Sequence, residues 1–218
     1  MPIISAIVSQ HKKAGQLSDP VNFTASENSS ITWVNSNTKI GLAASGSGNI
    51  GAFVLTNNTD SVIRGKITVY ATSKVTGCSG VSQSFEYIVN PSCDMLSPES
   101  ITVLSGRVVS QITFATDNKG GNTTYAWSVD STSIGISKSG FGNIPSFTAM
   151  NSSNKTVVAT ITVVPSFESE GVVSVGEPYI FTISVMPLPQ VDKVDNLEFC
   201  NGNDVPEIKF TTSVHLIL

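Results

Sequence analysis

"GSGNIGAF", residues 46–53, returns almost residue for residue as "GFGNIPSF" at 140–147, and the relation between the two copies decides the fold. Taken alone, the first copy sets Gly46, Gly48 and Gly51 in the G-x-G-x-x-G spacing of a phosphate-binding loop. The second copy removes that reading. Where the first has Gly51 it has Pro145, which offers no N–H and fixes φ, so the third glycine is not required. A dinucleotide loop must also follow a strand and open a helix, with an acidic residue about 20 positions on. Here the following stretch is "AFVLTNNTDSVIRGKITVY" (52–70), two β-rich runs divided by a polar turn. Gly46, Gly48, Gly140 and Gly142 are therefore expected to serve a turn or bulge between strands, where glycine reaches positive φ without penalty.

The repeat extends well beyond the glycines. At one offset of 94 residues Trp33 meets Trp127, Ile40 and Gly41 meet Ile134 and Gly135, Phe53 meets Phe147, and "ITV" at 67–69 meets "ITV" at 161–163. With small slips, "VNF" at 21–23 falls on "ITF" at 112–114 and "FEYIVNP" at 85–91 on "FTISVMP" at 181–187. A third copy begins at "CNGNDVPEIKFTTSV" (200–214), with Gly202 over Gly106 and Phe210 over Phe114. A lone opening strand cannot bury its apolar face, so a longer parent chain is expected. The proline-bearing stretches "NPSCDMLSPES" (90–100) and "MPLPQVDKVDN" (186–196) read as stiff connectors. The expected organisation is a first module over 1–92, a second over 93–190, and a connector with the start of a third over 191–218.

Composition agrees with an all-β chain. Charged residues are 13% of the 218, against about a quarter in ordinary globular proteins, and no window sets an apolar stripe at helical spacing among good helix formers. A net charge of −4 without a Lys/Arg cluster argues against nucleic acid. No apolar run is long enough to span a bilayer as a helix. Short runs rich in Val, Ile, Thr, Phe and Tyr, among them "PVNFTAS" (20–26), "KIGLAAS" (39–45), "IGAFVLT" (50–56), "SQITFAT" (110–116) and "SIGISKS" (133–139), are punctuated by Asn, Gly, Ser and Pro and give six or seven strands per copy of about 94 residues. That predicts tandem immunoglobulin-like antiparallel β-sandwiches with almost no helix. Trp33, Trp127, Phe53 and Phe147 are expected in the cores. A sugar-stacking role for the tryptophans would instead place them on an outer face.

The succession "T-W", "I-G-L", "S-G-x-G-N-I", "A-T-I-T-V-x-P", "G-C-S-G" and a fresh "F-C-N-G-x-x-V-P-x-I-x-F-T" resembles the PKD-like, immunoglobulin-fold repeats of large secreted proteins from gliding and related Bacteroidota. The resemblance covers both full copies and the opening of the third. It implies extracellular beads in a long cell-surface, adhesin-like protein, neighbouring repeats as partners, an export signal outside this chain, and no catalytic residues to carry over. It also implies a disulfide between an opening C-N-G cysteine and a late G-C-S-G cysteine. This chain departs from that pattern: Cys78 holds the late position in a copy whose opening "KKAGQLS" lacks cysteine, copy two has neither, and Cys200 opens the third. A Cys78–Cys93 bridge would need Cα atoms within about 7 Å across a whole strand, which is geometrically unfavourable.

Little else suggests chemistry. His11 and His215 are the only histidines, in an N-terminal segment and in the third copy's opening, so neither a metal site nor a catalytic triad can be shared by the modules. No enzyme activity, cofactor or metal is expected. Asp192 and Asp195 offer a side reading as a calcium-stiffened connector, the plain reading being solvated carboxylates. Sequons at Asn22, Asn28, Asn57, Asn122, Asn151 and Asn154 are what an Asn, Ser and Thr rich chain produces by chance. Two functions remain: a stalk or display scaffold without chemistry of its own, and a module that recognises a glycan or protein through strand-end loops. For the second, Phe141, standing where the first copy has Ser47, is the candidate contact.

Overall fold

In the computed structural model, which describes residues 1–26 and 28–212, the chain is all-β and divides into two compact units. Unit 1 gathers Met1–Leu96, Ala115–Thr124 and Val164–Glu177. Unit 2 gathers Ser97–Phe114, Tyr125–Val163 and the described residues from Pro178 onward.

Unit 1 is built on strands β1 (Gln10–Lys13), β2 (Ser29–Asn35), β3 (Ser45–Ser47), β4 (Ile63–Ser73) and β5 (Gln83–Asn90), in sheet order β1-β5-β4-β2-β3. All neighbours are antiparallel except β1, which runs parallel to β5 with Gln10 opposite Tyr87. Strict alternation along β4 buries Ile67, Val69, Ala71 and Ser73 on one face, because successive side chains of a strand point to opposite sides. The facing layer is made of short pairings, Ile4 with Ala25, Leu17 with Val54 and Val21 with Ile50. Ile40, Ile50 and Leu55 come from outside the sheet to close the core over Trp33, Phe85, Tyr87 and Val89. This is the sandwich expected from the sequence.

The rest of the chain carries β6 (Ile101–Leu104), β7 (Val108–Val109), β8 (Asn122–Val129), β9 (Ser139–Phe141), β10 (Phe147–Thr148), β11 (Val157–Ser169), β12 (Val172–Val175) and β13 (Tyr179–Met186), and unit 2, which takes these without β12, the first residues of β8 and the end of β11, repeats the plan. Its sheet order is β6-β13-β11-β8-β9, with β7 paired to β10 in the facing layer. The buried residues include Trp127, Val129, Ile134, Ile144, Ala149, Ala159, Ile161, Phe181, Ile183 and Val185. Residues 164–169 of β11 and all of β12 form a hairpin belonging to unit 1, and at its tip Glu170 (φ 49) precedes Gly171. Arg64 of β4 bridges Glu86 and Glu170 there; these side chains are half exposed, so the bridges contribute little.

Several of the stretches that read as strands are not. "KIGLAAS" (39–45) enters through a 3-10 turn, Thr38–Ile40, because the Asn37 side chain caps the Lys39 N–H and Gly41 turns the chain at φ 95. Ile40 is thereby driven into the core with no exposed surface. "PVNFTAS" (20–26), "IGAFVLT" (50–56) and "SQITFAT" (110–116) contribute only isolated bridges, and "SIGISKS" (133–139) gives only its last residue to β9. Beyond Met186 the described residues carry no strand, and Phe199, Val205, Ile208 and Phe210 stand exposed; His215 lies outside the described residues.

Candidate functional site

The glycine motif has a packing role in both units. Trp33 sits opposite Gly46 in the β2–β3 register and Trp127 opposite Gly140 in β8–β9. A Cβ on either glycine would run into the six-membered ring of its tryptophan. Each indole thus lies flat across a glycine, 6% and 5% exposed, with its Nε1–H buried and unpartnered. Gly48 (φ 68) and Gly142 (φ 70) make the turn, donating to Ile31 and Tyr125 carbonyls at 2.9 and 2.8 Å. At Gly51 a Cβ would meet nothing, so proline replaces it freely in the second copy. The Asn of the motif is the residue that sequence reasoning passed over: Asn49 Oδ1 accepts the Phe23 N–H (2.9 Å) and Asn143 Oδ1 the Phe114 N–H (3.0 Å). These groups point at protein: around them the Gly48 and Ile50 N–H groups are spent on the Ile31 and Val21 carbonyls and the Phe53 N–H on the Ser18 hydroxyl.

Phe53 and Phe147 are partly buried; Phe53 meets Tyr87 edge-on, ring centroids 5.2 Å apart. The fully buried neighbours on that alternation are Leu55 and Ala149. Phe141 is 86% exposed on edge strand β9, opposite Ala126.

Two of the sequons are turns. Asn57 Nδ2 donates to the carbonyls of Ser61 and Val89 (both 2.8 Å), while its Oδ1 accepts from the Thr59 N–H and hydroxyl. Asn151 repeats the pattern with Lys155, Val185 and Ser153. N-x-S/T is used here because the side-chain amide replaces a strand neighbour and the hydroxyl closes the turn. The nitrogen a glycan would occupy is spent in both.

His11 is likewise committed to structure. Its Nε2–H donates to Asn90 Oδ1 at 2.7 Å, because Asn90 Nδ2 is itself donating to the Val172 carbonyl. All three cysteines are free thiols: Cys78 and Cys200 are exposed and Cys93 is buried. Burial, with Asp94 beside it, pushes the Cys93 thiol up to about 11, so at pH 8 only about one molecule in a thousand holds it as thiolate. Alkylation of the folded chain with iodoacetamide is expected to label two thiols promptly and Cys93 only on unfolding; three equal rates in a mass-spectrometric time course would contradict that placement. Tyr87, with no exposed surface and an unpartnered hydroxyl, is raised to about 12 by burial and then by Asp19. Its ordinary value is about 10, so its neutral form stabilises the fold fully below that pH and the contribution is lost as pH rises through 12. Tyr87→Phe is expected to soften the alkaline fall in stability between about pH 10 and 12, read from denaturation midpoints against pH.

Both units also carry a groove beside the first strand of the sheet. In unit 1 it is lined by residues 6–12 and 19–22 and holds about 520 Å³; in unit 2 by residues from 98–103 and 108–113, about 480 Å³. At an offset of 91 residues most of the two sets overlap, among them Gln10, Lys12 and Asp19 with Ile101, Val103 and Ser110.

No protein-family model and no curated protein matches the chain. Among solved structures it is similar to human protocadherin-24 EC1-2 (15% identity, TM-score 0.41, 86% of this chain and 98% of that one). It is also similar to human mucin-like protocadherin EC1-2 (12%, 0.37, 86% and 99%) and to the tandem Ig repeats of Dlar (13%, 0.27, 86% and 98%). At TM-scores below 0.5 these likenesses decide nothing, and the sandwich assignment rests on strand order and register.

Proposed function

We propose that the chain is a non-catalytic repeat module, a stalk or display scaffold within a larger secreted or cell-surface protein of the PKD-like kind. Sandwiches over 1–92 and 93–190 and the opening of a third over 191–218 would be its beads, each with its neighbours in the chain as first partners. One observation carries the reading: what recurs between the copies is what holds a sandwich together. The Trp–Gly pair, the Asn49 and Asn143 ties and the Asn57 and Asn151 turns come back with the same hydrogen-bond partners. Residues selected for a shared chemistry would recur instead as a polar constellation in a cavity.

A second reading, a module that binds a glycan or protein, is favoured by Phe141 alone, a large ring held almost fully in water on an edge strand. A glycan-array and matrix-protein screen of the full chain beside Phe141→Ser separates the two. Silence across both supports the scaffold. Reproducible binding that disappears in Phe141→Ser replaces it with an adhesive module whose site is located.

A further inference from the structure

The paired side grooves differ in one respect that points to a ligand. In unit 1, Gln10 reaches across the groove: its Nε2 donates to the Asp19 carbonyl (2.9 Å) and its Oε1 accepts the Asp19 N–H (2.8 Å). Lys12 Nζ adds bonds to the Leu17 carbonyl (3.0 Å) and the Asp19 carboxylate (2.7 Å). A carboxamide that gives one N–H to a residue and takes that residue's N–H makes the two-bond exchange of an antiparallel strand partner. Gln10 therefore occupies the place of an arriving peptide group, and the Asp19 edge is closed.

In unit 2 the residues at the positions of Gln10, Lys12 and Asp19 are Ile101, Val103 and Ser110. No side chain crosses, and the main-chain N–H and C=O of Ser110 have no partner among the described residues. The walls are apolar, from Ile101, Val103, Val108 and Ile112, and Glu99 is the only charged residue lining the groove. Val108 is 67% exposed. We propose that this groove docks an extended peptide segment of a partner protein, which adds its main chain to the Ser110 edge, lays β-branched or other apolar side chains against Ile101 and Val103, and sets a basic residue near Glu99. Strand addition of this kind draws affinity from main-chain bonds and specificity from alternate side chains. The inference goes beyond the scaffold reading and does not rest on it, since a stalk can carry or lack a docking groove.

The test is selection of displayed peptides of about twelve residues on the full chain, followed by titration of a labelled winner. Winners are expected to alternate apolar residues and to carry a Lys or Arg at one end. Ile101→Gln, which installs the unit 1 plug, is expected to weaken binding at least about tenfold and to protect the Ser110 amide from hydrogen exchange. Val103→Lys is an independent variant with the same expected loss, and Gln10→Ile is expected to open a second site in unit 1. N-methylating the peptide on the bonded set of alternate amides is expected to abolish binding, and on the other set to leave it. No enrichment, binding indifferent to both variants, or indifference to N-methylation would overturn the proposal. So would a dimer in sedimentation that Ile101→Gln dissolves, since the groove would then belong to a second copy of the chain.

Discussion

Trp127→Ala is expected to lower the unfolding free energy by about 3–5 kcal/mol, the range for removing a large buried aromatic, with Trp33→Ala close to it. Both rings are nearly fully buried and both Nε1–H groups lack partners, so the loss is one of apolar contact and cavity formation, with no hydrogen bond sacrificed. Gly140→Ala and Gly46→Ala fill the same space from the opposite side, where the added methyl meets an indole that cannot swing away. They are expected to cost about 1–3 kcal/mol each, as overpacking does. The decisive comparison is the double variant. With the ring removed, the alanine at 140 has room, so Trp127→Ala with Gly140→Ala is expected to cost clearly less than the sum of the singles. Urea denaturation of the four chains in each unit checks this. Additive costs, or a neutral Gly140→Ala, would mean that ring and glycine do not meet.

Asn57→Asp is expected to cost about 3 kcal/mol or more, although it changes a single atom. Asn57 is 4% exposed and spends both N–H groups of its amide on carbonyl oxygens. A carboxylate there brings an oxygen against each of those carbonyls and buries a charge without a cation. Asn151, partly exposed, is expected to show the same sign with a smaller loss. Denaturant midpoints of the two variants measure the difference, and an equal small cost at both would show that the side-chain amides are not the strand-replacing groups assigned above. Asn57 should also stay unglycosylated on the folded chain, its nitrogen being turned inward.

These two effects mark what was legible beforehand. Trp33 and Trp127 could be placed inside because the alternation around them, "SITWVN" and "TTYAWSV", has period two and leaves little freedom. The glycine loop could be freed of its phosphate reading because a proline tolerated at one copy shows which glycines the backbone needs. Asn57 reads as a chance sequon because its partner, Val89, lies 32 residues away, and no local pattern announces a bond at that distance. "KIGLAAS" misled for a related reason: its β-branched and apolar residues suit a strand, but the Asn37 cap and the left-handed Gly41 override that preference.

By itself the sequence determined the sandwich plan, the repeat and the near absence of helix among the described residues, since these follow from side-chain period, turn residues and self-similarity, which are local or one-dimensional properties. Only the tertiary structure decided that Gly46 and Gly140 exist to admit an indole, that a hairpin from residues 164–177 belongs to unit 1, and that Gln10 closes a groove which Ile101 leaves open. Each of these depends on which side chain meets which backbone across the layers, and that is set by packing between segments whose separation along the chain carries no signal of their contact.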